Sequence, residues 1–63
     1  MTQRSYAELA DIFEGMAAAR ANWLRDHGRK FGEMARLQKQ REMEACAQVA
    51  DWLRRAAKRD AAA

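Results

Sequence analysis

The sequence predicts an all-α fold, an antiparallel two-helix hairpin that pairs with a second copy into a four-helix bundle. Ala, Arg, Glu, Lys, Leu, Met and Gln dominate the composition, Pro is absent, and Val, Ile and Thr occur once each, a composition that favours helix. Apolar residues recur at spacings of three and four on both sides of a glycine-bearing basic stretch, Trp23 to Gly32, which marks two amphipathic helices and a turn. The chain has only 63 residues, with one Cys and one His. A chain this short buries about 60% of its unfolded surface, and below roughly 70 residues a disulfide, a metal or a partner is usually needed for stability. A partner is the route left.

The first helix is expected over about residues 5 to 26. Ser5 and Glu8 have capping-box spacing, in which the hydroxyl accepts from the Glu8 N–H and the Glu side chain returns to the Ser5 N–H. Glu8, Asp11 and Glu14 then place negative charge where the helix dipole favours it. Tyr6, Leu9, Ile12, Phe13, Met16, Ala19, Trp23 and Leu24 form one broad apolar stripe.

A turn follows near residues 26 to 30. Gly28 stands where a left-handed terminal residue is expected, with Arg25 and His27 placed to meet the last carbonyls. Asp26 is an alternative cap for the next helix. A continuous helix through Gly28 and Gly32 would carry a cost of ~1 kcal/mol at each glycine relative to alanine.

The second helix is expected over about residues 31 to 59, with residues 60 to 63 a frayed tail of this single domain. Phe31, Met34, Ala35, Ala45, Cys46, Val49, Trp52, Leu53 and Ala56 share one face at about 100° per residue. The stretch QKQREME interrupts it, with Gln38 and Glu42 on the apolar face and Leu37 and Met43 off it. Arg20 interrupts the first stripe in the same way. Folding the chain back at Gly28 makes Arg20, Gln38 and Glu42 neighbours in one polar layer. Unpaired, such a layer would cost several kcal/mol, so mutual pairing is expected, the alternative being that the stripe turns outward there and these groups meet water.

One helix neighbour cannot cover stripes this wide. A large apolar side chain contributes about 1.5 to 3 kcal/mol when buried, against about 1 to 2 kcal/mol of entropy per ordered residue. The expected dimer core is Leu9, Ile12, Phe13, Met16, Trp23, Phe31, Met34, Val49, Trp52 and Leu53, closed by a two-fold axis.

The net charge of +3 is unevenly placed. Residues 20 to 41 carry seven bases and two acids, whereas residues 42 to 63 carry four of each. The antiparallel fold sets Glu8, Asp11 and Glu14 near Arg54, Arg55, Lys58 and Arg59. The turn end keeps Arg25, Arg29, Lys30, Arg36 and Lys39 against Asp26 and Glu33, and these five bases are the candidate partner-binding residues. No catalytic residue, metal ligand or cofactor motif is evident. His27 and Cys46 are separated by most of a helix, and zinc spacings and phosphate loops are absent. The expected class is non-enzymatic. No apolar run approaches the roughly 20 residues that span a bilayer, and the first residues lack the apolar core of a secretion signal. The expected location is the cytoplasm, without a membrane partner.

The segment FGEMARLQKQREMEACAQVADWL resembles a pattern of small proteins encoded by bacteriophages and prophages, in which a glycine-bearing basic turn precedes a helix reading R-E-x-E-A-C-A-x-V-A. The matching residues run from Arg41 to Ala50, and the likeness covers about a third of the chain. The resemblance implies an accessory protein working in the host cytoplasm, where it binds and inhibits a host bacterial protein. Some helical hairpins of this kind are dimeric anti-activators of transcription regulators. In length and architecture the chain is also similar to a plasmid copy-number regulator that binds paired RNA loops as a dimeric hairpin. Nucleic-acid binding is therefore the alternative. It is disfavoured by the modest charge and the acids interleaved among the bases.

Overall fold

The computed structural model describes residues 3 to 62. Two helices pack side by side, α1 over Tyr6–His27 and α2 over Glu33–Ala62. The start of α1 follows from its cap: Ser5 is extended, and its Oγ accepts from the Glu8 N–H at 3.1 Å. The Glu8 carboxylate turns to Arg4 at 3.4 Å, so the hydroxyl half of the capping box forms and the carboxylate strengthens the first turn as an ion pair.

The turn departs from the expected geometry. Gly28 is right-handed, with φ −57° and ψ −29°, and among the described residues no glycine has positive φ. Its N–H donates to the Leu24 carbonyl at 3.0 Å, which extends the helical pattern one residue beyond His27. Glycine is used here for close approach instead of for handedness. Gly28 is buried, and a Cβ at this position would press on the Leu24 carbonyl and touch the Arg36 side chain. The Lys30 N–H donates to the His27 carbonyl at 2.9 Å and closes the turn. Asp26 does not cap the second helix; it lies within α1 and pairs with Arg25 at 3.3 Å. The Gly32 carbonyl accepts from the Arg36 N–H at 3.2 Å, which makes Gly32 the residue that opens α2.

The second helix begins at Glu33, two residues later than the sequence suggests, and continues through the expected frayed segment to Ala62. No Gly or Pro follows Gly32, and apart from Asp60 residues 54 to 62 are Ala, Arg and Lys, which are strong helix formers. Ala63 lies outside the described residues.

The contact between the helices is made by small residues. The buried apolar residues are Ala10, Cys46 and Ala50, and no large side chain is fully buried. On α2, Met43, Cys46, Ala50, Leu53 and Ala57 follow one another at intervals of three and four, all of them buried or partly buried. Ala10, Phe13, Ala17, Arg20 and Leu24 do the same on α1. This spacing is the seam of two helices packed nearly antiparallel. Met43, which lies off the apolar face that periodicity predicts, is partly buried on this seam, because the seam is centred on the alanines and not on the largest side chains.

The resulting shape is long and thin, 48 × 22 × 16 Å with a radius of gyration of 14.4 Å. A compact chain of this length would have a radius of about 11 Å. The accessible surface is 5177 Å², whereas a monomer of this mass ordinarily exposes about 4,100 Å². About 1,000 Å² of the surface is in excess.

Candidate protein-binding surface

The exposed apolar surface has a definite place. At about 100° per residue, Leu9, Ile12, Met16 and Trp23 fall on the flank of α1 that also carries Arg20. Met34, Ala45, Val49 and Trp52 fall on the flank of α2 that carries Glu42. The Arg20–Glu42 ion pair, at 3.0 Å, joins the two flanks into one face. Phe31 belongs to the same face through its ring, stacked on Trp23 with centroids 5.2 Å apart. Much of this apolar area meets water: Ile12 is 42% exposed, Phe31 51%, Trp52 55% and Met34 79%. Leu9, Phe13, Met16, Trp23, Val49 and Leu53 are partly covered by the seam.

The polar layer crosses the middle of this face. The Arg20 Nε donates to Glu42 Oε1 at 3.0 Å, and Arg20 Nη1 donates to the Met16 carbonyl at 3.1 Å. The Gln38 Nε2 donates to Glu42 Oε2 at 3.2 Å, so both carboxylate oxygens are engaged. Lys39 Nζ adds an ion pair with Glu42 at 3.6 Å and lies 5.2 Å from the Trp23 ring centroid, a cation–π distance. The structure thus brings Arg20, Gln38 and Glu42 together, and Lys39 joins them instead of standing free at the turn end.

The opposite flank is polar. Arg54 on α2 reaches across to α1, where its Nη2 bonds both Asp11 and Glu14 and its Nε donates to Glu14 Oε1 at 3.0 Å. Arg55 instead pairs within its own helix, with Asp51 at 2.8 Å. These bonds hold two carboxyl groups below the ordinary glutamate value of 4.5. Glu14 is lowered by its hydrogen bond from Arg54. Glu42 is lowered by its bond from Gln38 and then by that from Arg20. Groups whose folded values are depressed stabilise the fold above the unfolded value, and the contribution is lost as pH falls through the folded value. Melting temperature is therefore expected to hold from neutral pH to about pH 4.5 and to decline below it. Circular dichroism melts of Glu14→Gln combined with Glu42→Gln should show a shallower decline; an unchanged acid limb would rule these two groups out as its source.

At the turn end, Arg25, Arg29, Lys30 and Arg36 are exposed. Among the described residues, no carboxylate lies within ion-pair distance of Arg29, Lys30 or Arg36, while Arg25 pairs with Asp26. His27 tilts against Trp23 at 6.1 Å between ring centroids. A basic rim thus borders the aromatic end of the apolar face. Near the other end, Trp52 lines a shallow cleft with Arg55 and Arg59, two arginines that the charge pattern alone does not single out. Trp and Arg are both enriched at binding hot spots.

Cys46 is a free, buried thiol on the seam. Among the described residues, no group of three or more His, Cys, Asp or Glu is placed to hold a metal ion. No described helix is long and apolar enough to cross a membrane. No protein-family model, curated protein or solved structure matches this chain.

Proposed function

We propose that this protein is a non-enzymatic binding module that works as a homodimer. Two hairpins close their apolar faces into a four-helix bundle, and the dimer engages and inhibits a host bacterial protein through its basic turn end. Transcription regulators are the first target class to test, because the phage-like segment from Arg41 to Ala50 points to inhibitors of that kind.

One observation carries the reading: a single hairpin fully buries no large side chain, yet it gathers Ile12, Phe31, Met34 and Trp52 at least two-fifths exposed on one face. Contiguous apolar area of this kind marks an interaction site. The magnitude favours a second copy. A dimer of ordinary surface for its mass would cover about 3,500 Å² in total, within the range of obligate homodimers. With that face closed, the exposed groups left to recognise a target at the turn are Arg25, Arg29, Lys30 and Arg36.

Affinity capture from a bacterial lysate, with and without nuclease, tests the function. The expected result is a host protein retained after nuclease treatment and in moderate salt, and lost from the Arg29→Ala, Lys30→Ala, Arg36→Ala triple variant. Retention of nucleic acid, with the logarithm of the binding constant falling linearly against log salt, would overturn protein inhibition in favour of a nucleic-acid regulator.

A further inference from the structure

The polar layer raises a question that the apolar face alone does not answer. Arg20, Gln38 and Glu42 sit amid side chains that a partner copy would cover, and their placement along the hairpin is central. Arg20 lies one turn past the midpoint of Tyr6–His27, and Glu42 lies near the middle of the stretch of α2 that runs alongside α1, between Glu33 and Arg54. In a dimer whose hairpins run the same way the two-fold axis lies along the bundle and every level meets its own mate; in one whose hairpins run opposite ways and overlap along the length of α1, the axis crosses within about one helical turn of Arg20 and Glu42. Each layer then meets its own symmetry mate.

We propose that the Arg20–Gln38–Glu42 layer is completed by the second copy and fixes the register in which the two hairpins close. The inference rests on the homodimer reading and adds a role for three residues within it. The apolar side chains above and below the layer are non-directional, so sliding one hairpin by a helical turn exchanges one greasy contact for another. The layer is different. In register, two Arg20–Glu42 ion pairs share one level, each still paired within its own copy. Out of register, each charged group is set against apolar side chains of the partner and loses water without gaining a partner. A single polar level in an otherwise apolar seam is the best-attested way to specify register at some cost in stability.

The layer is equipped for this. Glu42 has both oxygens occupied within its own subunit, so closing the face leaves no bare carboxylate. Arg20 has spent its Nε and Nη1 within the subunit, and a guanidinium has five N–H donors. The Gln38 carboxamide oxygen accepts no hydrogen bond among the described residues, while its nitrogen is engaged. Each copy therefore brings spare donors and a spare acceptor to the same level, a self-complementary set of the kind an isologous contact requires.

The experiment measures association and register separately. The full-length chain carrying Cys46→Ala receives one spin label at Gly32→Cys, where an added side chain has open space. Sedimentation equilibrium reads the dimer constant, and dipolar spectroscopy reads the distance between the two labels. The starting protein is expected to give a dimer with one narrow distance. Glu42→Leu, which strands Arg20 in the interface while the longer Lys39 side chain can still turn out to water, is expected to weaken the dimer at least tenfold while circular dichroism shows helix retained. Arg20→Met with Glu42→Leu is expected to restore association but spread the label distance into several populations. A Glu42→Leu dimer as tight as the parent, or a double variant that keeps one narrow distance, would overturn the role of the layer while leaving the dimer intact. A starting protein that stays monomeric at micromolar concentration would overturn the homodimer reading itself. If Glu42→Leu fails to fold, Glu42→Gln decides: weakened association with one distance supports the layer, and unchanged association sinks it.

Discussion

Ile12→Glu is expected to convert a self-associating protein into a monomer and to abolish most of its cooperative unfolding. The contrast between the two states makes the substitution decisive. Ile12 is 42% exposed in the hairpin, and at an exposed helix position such a change ordinarily shifts stability by no more than about 0.5 kcal/mol. In a two-fold interface the same change buries two carboxylates without counter-charges, at several kcal/mol each. The dimer constant should weaken by more than 100-fold, with a large fall in melting temperature. Sedimentation velocity of parent and variant at equal micromolar concentration provides the measurement. Identical sedimentation and melting in the two proteins would mean that the apolar face stays open to water and that the dimer does not form through it.

The second large effect concerns the seam inside one hairpin. Ala10 is fully buried and Ala50 is 3% exposed, so the helices touch where their side chains are smallest. Ala50→Leu adds three carbons at a place without room for them. Overpacking of this kind costs typically 1 to 3 kcal/mol and occasionally more, and a core of this size supplies only about 3 to 5 kcal/mol. The variant is expected to lose most of its stability in urea. Ala47→Leu, one turn earlier and exposed, makes the same chemical change on the outside of α2 and is expected to be nearly neutral. Equal urea midpoints for the two variants would show that the seam is not tight at Ala50.

These two residues also show where the sequence was informative. Ile12 belongs to a stripe that periodicity finds directly, because large apolar residues at spacings of three and four can have little other purpose. Ser5 was legible as a cap from its spacing to Glu8. The Arg20–Glu42 contact followed from folding the chain at Gly28 and matching heights. The seam was harder to see. Ala10 and Ala50 contribute little to a hydrophobic stripe, yet closest approach between two helices selects the smallest side chains, and the larger ones are pushed to the flanks. Reading the alanines with Phe13, Ala17, Met43, Cys46 and Leu53 as one alternating three–four repeat would have found it.

Two other features were hidden for different reasons. The need for glycine at a right-handed Gly28 lies in the space that the Leu24 carbonyl and the Arg36 side chain leave there, and the approach of Arg36 is tertiary information. The choice of Arg54, from four neighbouring bases, to bond both Asp11 and Glu14 depends on the rotation of α2 about its axis. Charge pattern alone places the four bases near the acids without ranking them.

The seam has a chemical consequence through its one sulfur. The Cys46 side chain is held between the two rods, 8% exposed, and alkylation requires a thiolate that the reagent can reach. Labelling must therefore wait for the rods to part. The modification rate of an untreated sample counts those partings directly, turning the only cysteine of the chain into a clock for how often the hairpin breathes.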